Sequence, residues 1–186
     1  MKIFAVYLRL TLTSKPEWLD DFRSKYSSTS ISHITLVQPR YVNEDRVQVL
    51  KDKIADVLNK EKFDTKDRKL TFLKTELEKD DNNEEYILMS FIKENRSILN
   101  LQKNLVEALK DFGNYCHETT REYESNFRPH LTIANQIDLG SKDKTLQLVS
   151  QDNKLEGNTT DLVLAIVNEQ TTSESENPNN WITFNI

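Results

Sequence analysis

The sequence is poor in residue types that several common functional sites require. Its 186 residues include one cysteine, Cys116, which excludes an intrachain disulfide, a CxxC pair and a zinc site built from several thiolates. Three glycines are too few for a glycine-rich phosphate-binding loop. A single unpaired thiol fits a reducing compartment, and we expect a cytoplasmic protein.

Long apolar segments and an excess of positive charge are also missing. The N-terminal run KIFAVYLRLTL is interrupted by Arg9, and no small-residue cleavage site follows it, so no signal peptide is predicted. No segment reaches the length of a membrane span, and no membrane association is expected. The formal net charge of -5 argues against a protein that wraps long duplex nucleic acid through many phosphate contacts. A short or terminal nucleic-acid ligand is compatible with this charge.

The residues that are present predict a folded α+β protein. The chain is long enough for a sizeable core and carries 8 Phe, 6 Tyr and 2 Trp. Apolar patterns typical of strands occupy residues 2–12, 31–37, 69–78, 85–93, 131–137, 162–168 and 181–186. Helical spacing or helix-start signals occupy residues 14–26, 43–60, 96–112 and 141–150.

Several local signals make more specific predictions. Ser14 begins a capping-box pattern and is expected to start the first helix. Pro39 is expected to end the second strand, because proline cannot donate to a ladder. The acidic segment 79–83 predicts a turn between two strands, and the polar segments 114–126 and 171–180 predict loops, the second of them mobile.

The predicted elements follow the order β α β α β β α β α β β. Strand and helix groups therefore recur in two halves of similar size. We expect one domain over residues 1–186 with an internally duplicated architecture.

Two of the three histidines occur in the same short pattern, histidine, apolar, threonine, apolar. The copies are His33-Ile34-Thr35-Leu36 and His130-Leu131-Thr132-Ile133. Residues two apart on a strand share a face, so each histidine and its threonine should point the same way while the apolar residues point into the core.

An imidazole beside a hydroxyl suits phosphoryl chemistry. Imidazole takes up and releases protons near neutral pH, and a hydroxyl donates to a nonbridging phosphate oxygen. Two opposed histidines provide both the base and the acid of an in-line displacement, without a metal ion. A single histidine on a strand is more often a hydrogen-bonded structural residue, but two copies of one pattern favour a shared function.

The two motifs lie 97 positions apart (130 minus 33), within HITLVQPRYV in the first half and FRPHLTIAN in the second. In this arrangement the sequence resembles the two-histidine phosphoesterase superfamily, which includes 2'-5' RNA ligase-like proteins and cyclic nucleotide phosphodiesterases. The resemblance covers nearly the whole chain. It implies an α+β fold of two pseudo-symmetric lobes of antiparallel strands, with outer helices around a central cleft.

The resemblance also implies roles for the motif residues. His33 and His130 become the acid–base pair, and Thr35 and Thr132 hold the phosphate. The implied activity is metal-independent hydrolysis of 2',3'-cyclic or 2'-5' linked phosphates at RNA or nucleotide ends, reversible as 2'-5' ligation. RNA ends or small nucleotides carrying such phosphates are then the partners. We expect no cofactor, and no motif predicts an obligate protein partner.

Residues beside the motifs are further candidates for substrate binding. Arg40 and Arg128 are positioned in sequence to offer guanidinium groups to phosphate. Tyr41 and Phe127 offer faces on which a base can stack. Asn135 stands where many members similar to 2'-5' RNA ligases carry an arginine. A non-catalytic module that binds RNA ends or nucleotides in the same cleft is the alternative, although both intact His-Thr pairs favour an enzyme.

Overall fold

The structure is a computed structural model that describes residues 1–26, 31–61, 63, 65–79, 85–151 and 154–186. Within these ranges the strands form one seven-stranded sheet in which neighbouring strands are antiparallel. The strands are β1 (Lys2–Ser14), β2 (His33–Val42), β3 (Lys69–Lys79), β4 (Tyr86–Ile92), β5 (His130–Ile137), β6 (Leu155–Val167) and β7 (Trp181–Asn185).

The long strands β1 and β6 connect the two halves of the sheet, whose order is β2-β1-β6-β3-β4-β5. One edge of β6 pairs with β1 along most of its length. The other edge pairs with β3 at residues 155–158 and with β7 at residues 161–165. The alternating or continuous apolar runs that predict these strands are therefore buried in a shared interior.

The α-helices are α1 (Leu19–Lys25), α2 (Val47–Lys60), α3 (Thr65–Arg68), α4 (Arg96–Ala108), α5 (Glu118–Ser125), α6 (Lys142–Gln151) and α7 (Thr172–Ser175). The two longest, α2 and α4, pack against each other and bury one apolar stripe each, as their spacing predicts. Helix α4 also contacts β2, and α1 contacts β5, so each half supplies a helix to the other. Among the described residues, no helix is long and apolar enough to cross a membrane.

The predicted α+β class is confirmed, with local corrections near the first two strands. Ser14 does not start a helix, because it is the last residue of β1 and pairs with Glu156 of β6. The first helix begins later, at Leu19. Pro39 does not end β2, which continues to Val42. The proline lies at a register shift in the pairing of β2 with β1, where a missing N–H interrupts no ladder bond.

Two segments predicted as loops contain helices. Within 114–126 lies α5, whose buried residue is Glu124 rather than an apolar side chain, so no hydrophobic stripe marks the helix. Within 171–180 lie α7 and a 3-10 turn over Pro178–Asn180, capped by the side chains of Thr171 and Asn177. The predicted turn at 79–83 lies outside the described residues from 80 onward, but the strands on either side pair as a hairpin.

Candidate active site

The two motif strands lie at opposite ends of the strand order, yet β2 and β5 contact each other. The sheet therefore curves until its two end strands meet. On β2, His33 pairs with Arg9 and Thr35 with Tyr7, both on β1. On β5, His130 pairs with Phe91 and Thr132 with Met89, both on β4. Each motif thus lies on a strand that is paired to an inner neighbour.

The irregularities that follow each motif are the same in both strands. After Thr35 the register shifts so that Val37 pairs with Val6, and it shifts again before Arg40. After Thr132 it shifts so that Ala134 pairs with Leu88, and again before Ile137. The offset of 97 between the histidines also separates these pairs (134 minus 37, 137 minus 40). The internal duplication therefore extends to the backbone irregularities, which bend a strand and change where its side chains point.

Both imidazoles are held by the same backbone contact. Nδ1 of His33 lies 3.1 Å from the carbonyl oxygen of Ile31, and Nδ1 of His130 lies 2.8 Å from that of Arg128. A carbonyl oxygen only accepts, so Nδ1 carries the hydrogen in each neutral ring. The other nitrogen, Nε2, then holds a lone pair and can take up a proton.

Burial lowers the pKa of both histidines below the ordinary value of 6.5. The ring of Tyr7 packs on His33 with 4.8 Å between ring centroids, and that of Phe91 packs on His130 with 5.5 Å. The backbone hydrogen bonds oppose the effect of burial only in part. Among the nearby charges, that of Glu176 raises the pKa of His33, and those of Arg23 and His130 lower it.

Two adjoining cavities open beside the histidines. The first has a volume of about 290 Å³ and is lined by His33 and Thr35 on one side and by residues of the segment 170–176 on the other. The second is a narrow space of about 30 Å³ beside His130, Arg128 and Phe127. Thr35 and Gln38 line both cavities. The structure thus places His33, Thr35 and His130 along one cleft, while Thr132 lines neither cavity.

Arg40 does not face this cleft, which corrects the prediction that it contacts phosphate. Its side chain is 1% exposed, and its guanidinium forms an ion pair with the buried carboxylate of Glu124. It also donates to the carbonyl oxygen of Leu109 at 3.0 Å and stacks on the ring of Tyr115. Its counterpart by the offset of 97 is Ile137, a fully buried core residue. Arg40 therefore occupies a core position and has its partners there.

The other predicted binding residues divide into two groups. Tyr41 is half-buried beside the thiol of Cys116 and lines neither cavity. Phe127 and Arg128 line the cavity at His130. The Arg128 side chain is 59% exposed, stacks over the ring of Phe91, and pairs with Glu78 at 2.6 Å. A guanidinium at the rim of the cleft is accessible to a ligand.

Sequence reasoning missed several residues of the cleft. Tyr7 lies in the predicted strand 2–12 and Gln38 directly follows the predicted strand 31–37, but the sequence around them has no motif that marks either as functional. The side chains from 170–176 come from a segment without periodicity. Asn135 is at the position equivalent to Gln38 (135 minus 97), and its Oδ1 is buried with no hydrogen-bond partner among the described residues. In the same described ranges, no group of three or more His, Cys, Asp or Glu side chains is arranged to bind a metal ion.

Comparison with known proteins agrees with this architecture. A family described as the 2'-5' RNA ligase superfamily matches residues 13–170. A structure of Usb1 from Kluyveromyces marxianus is similar in fold, with a TM-score of 0.56 at 10% identity. A second structure of that protein, with uridine monophosphate, has a TM-score of 0.58 at 13% identity. Both alignments cover 99% of this chain and 98% of the other. No curated protein matches the sequence.

Proposed function

Because this chain belongs to the 2'-5' RNA ligase superfamily, we propose that it is a phosphoesterase that hydrolyses 2',3'-cyclic phosphates, or 2'-5' linkages, at RNA or nucleotide ends. The observation that carries the proposal is the matched pair of histidines along one cleft. Each has its Nδ1 at a backbone carbonyl, which leaves Nε2 for proton transfer. The continuity of β1 and β6 through both halves further supports one catalytic domain over residues 1–186.

The proposed reaction needs only water and the two imidazoles. The neutral Nε2 of one histidine removes a proton from water as its oxygen attacks phosphorus. The protonated Nε2 of the other histidine donates its proton to the 3'-oxygen as the bond from phosphorus to that oxygen breaks. The products are a 2'-phosphate and a free 3'-hydroxyl, and the two histidines have exchanged protonation states. When the 5'-hydroxyl of an RNA attacks phosphorus in place of water, the same proton transfers break the bond to the 3'-oxygen and leave a 2'-5' linkage.

The flanking residues are assigned by their positions in the cleft. Thr35 lines both the cavity beside His33 and the cavity beside His130, and its hydroxyl can donate to a nonbridging phosphate oxygen. Thr132 lines neither cavity, and we assign it the equivalent role on β5 from the repeated motif alone. At the rim beside His130, Arg128 is suited to bind a phosphate and Phe127 to stack on a base.

The lowered pKa values suit a site whose substrate is an anion. In the free protein at neutral pH both imidazoles are neutral, so the acid has to gain its proton. A bound phosphate carries negative charge and raises the pKa of the imidazole nearest to it. Substrate binding would then help to create the protonated acid. Usb1 of K. marxianus has been solved with uridine monophosphate, which makes a uridine nucleotide the first ligand to test.

The proposal is tested by incubating the protein with uridine 2',3'-cyclic phosphate in the presence of a chelator. We expect turnover to a single phosphomonoester, identified as the 2'-phosphate by phosphorus NMR. Binding of uridine monophosphate without any turnover, measured by calorimetry, would instead support the non-catalytic nucleotide-binding module. Turnover that disappears in chelator and returns with a divalent metal ion would contradict the metal-independent mechanism.

A further inference from the structure

Tyr7 contacts both His33 and the opposite wall of the cavity beside it. The residue lies on β1 opposite Thr35 and is 6% exposed. Its ring packs on the His33 imidazole at a centroid distance of 4.8 Å and an interplanar angle of 44°. Its hydroxyl donates to the carbonyl oxygen of Ser175 at 3.1 Å. One side chain therefore joins two parts of the cleft that are 142 positions apart in sequence (175 minus 33).

The wall that Tyr7 reaches is built from Gln170, Thr171, Thr172, Ser175 and Glu176, which we call the polar wall. Its main chain is held locally by the carboxylate of Glu174, which accepts from the backbone N–H of Asn168 at 2.7 Å. Trp181 donates its indole N–H to Ser175 O at 2.7 Å. The same oxygen thus receives two side-chain donors, one from β7 and one from β1.

Among the residues that the structure describes, the histidine on the other strand has no equivalent connection. Phe91 packs on His130 as Tyr7 packs on His33, but phenylalanine has no hydroxyl to reach a further segment. Burial raises the pKa of Tyr7, so its hydroxyl stays protonated and donating throughout the pH range in which histidine titrates. The contact with Ser175 is therefore present in both protonation states of His33.

We propose that Tyr7 is a positioning residue with two separable roles, which rests on the proposed function of His33. Its ring fixes the orientation of the His33 imidazole, and its hydroxyl fixes the polar wall against which the substrate binds. The ring acts on the proton-transfer step and should affect kcat. The hydroxyl positions the polar wall, which is proposed to bind the substrate but to take no part in proton transfer, so its loss should affect KM.

Two variants separate these roles with uridine 2',3'-cyclic phosphate as substrate. Tyr7→Phe keeps the ring and removes one hydrogen bond, so KM should rise about 3- to 10-fold with kcat within about twofold of wild type. Tyr7→Leu also removes the ring, and kcat should fall by a further factor of about 10. Tyr86→Phe is the matched control, because this tyrosine lies five residues from Phe91 along β4, about 16 Å away.

Two further measurements do not depend on activity. Amide hydrogen exchange over residues 170–176 should become about 2- to 10-fold faster in Tyr7→Phe and stay unchanged in Tyr86→Phe. The NMR-measured pKa of His33 should rise toward its ordinary value in Tyr7→Leu, because water enters where the ring was, and should change little in Tyr7→Phe.

The outcomes distinguish this inference from the proposed function. If the wild type turns over the substrate but Tyr7→Phe matches it in KM and in exchange over 170–176, the hydroxyl does not position the wall. If the wild type is inactive while exchange and the His33 pKa change as expected, Tyr7 positions both groups and the proposed reaction is wrong. Equal losses of kcat in both variants would refute the separation of the two roles.

Discussion

The two halves of this protein share a backbone design but differ in what surrounds it. In both, Nδ1 of a histidine lies within hydrogen-bond distance of the carbonyl oxygen two residues before it, and a threonine follows on the same face of the strand. Both strands also change register at the same two places after the motif. Around His33 the surroundings are a larger cavity and a polar wall from the C-terminal segment. Around His130 they are a narrow cavity and an exposed guanidinium.

This difference separates two requirements of a phosphoesterase. The shared part can supply one acid–base group from each end strand, one for each side of the phosphorus in an in-line displacement. The unshared parts give the cleft a direction, because among the described residues that line the first cavity the charged side chain is Glu176, whereas the second is lined by Arg128 together with its ion-pair partner Glu78. We expect the uncharged portion of a substrate beside His33 and the phosphate-bearing chain toward Arg128.

The largest expected effect tests whether the two halves contribute equally to the reaction. His33→Ala and His130→Ala should each lower kcat for uridine 2',3'-cyclic phosphate by about 10²- to 10⁴-fold, since each removes one of the two proton-transfer groups. Initial rates measure the effect, and thermal melting verifies folding. His117→Ala, at the start of α5 and outside both cavities, is the control that keeps full activity. Robust turnover by both His33→Ala and His130→Ala would contradict the assignment of these histidines as the acid–base pair.

The next prediction compares the equivalent positions Arg40 and Ile137. Glu124→Ala leaves the Arg40 guanidinium buried without its carboxylate, which should lower the free energy of unfolding by about 3–5 kcal/mol. Urea denaturation measures this loss. Ile137→Val, a loss of one methylene at the equivalent core position, should cost about 1 kcal/mol. A small effect of Glu124→Ala would mean that water or another group reaches Arg40.

Much of this comparison is predictable from sequence, and the family match confirms the resemblance based on the paired motifs. Strand alternation places each histidine with its threonine. The same rule places Arg40, seven positions after His33, on the opposite face with Ile34 and Leu36, and the two register shifts of one residue each before Arg40 together leave this assignment unchanged, so the structure buries it. Proximity to the motif in sequence suggested a ligand contact that side-chain parity excludes.

Other features depend on contacts between distant parts of the chain. Helix α5 has no apolar stripe, because the side chain that anchors it is Glu124, which needs Arg40 from β2 as its partner. The polar wall contacts Tyr7 through Ser175, which is 168 positions away in sequence. Apolar residues in the wall do not recur at helical or strand spacing. Pro39 is tolerated in β2 only because the register shifts there. Local sequence patterns do not predict contacts between residues so far apart in the chain.

A third prediction concerns the two threonines, which are equivalent by motif but not by exposure to the cleft. Thr35 lines both cavities and Thr132 neither. Thr35→Val should therefore lower kcat/KM by about 10- to 100-fold, as expected for loss of a hydrogen bond to a charged group. Thr132→Val should cost less than Thr35→Val. Thr35→Ser keeps the hydroxyl and should restore most of the activity. Equal losses at both positions would mean that substrate binding brings Thr132 into contact.

The smallest expected effect is on the pH dependence. The pKa values of both histidines lie below the ordinary value, so the fraction of protein with one protonated and one neutral imidazole is largest below pH 6.5. The value of kcat/KM should therefore follow a bell-shaped pH profile with its maximum below pH 6.5.

The charge of Arg128 contributes to lowering the pKa of His130, while Glu78 opposes it. Arg128→Gln should therefore raise the pKa of His130 and move one limb of the bell to higher pH, with the limb of His33 unchanged. Arg121→Gln, on α5 and outside both cavities, should leave both limbs in place. A shift of both limbs together would show that the two histidines titrate as one coupled pair. The different surroundings of the two histidines would then not give them separate pKa values in the reaction.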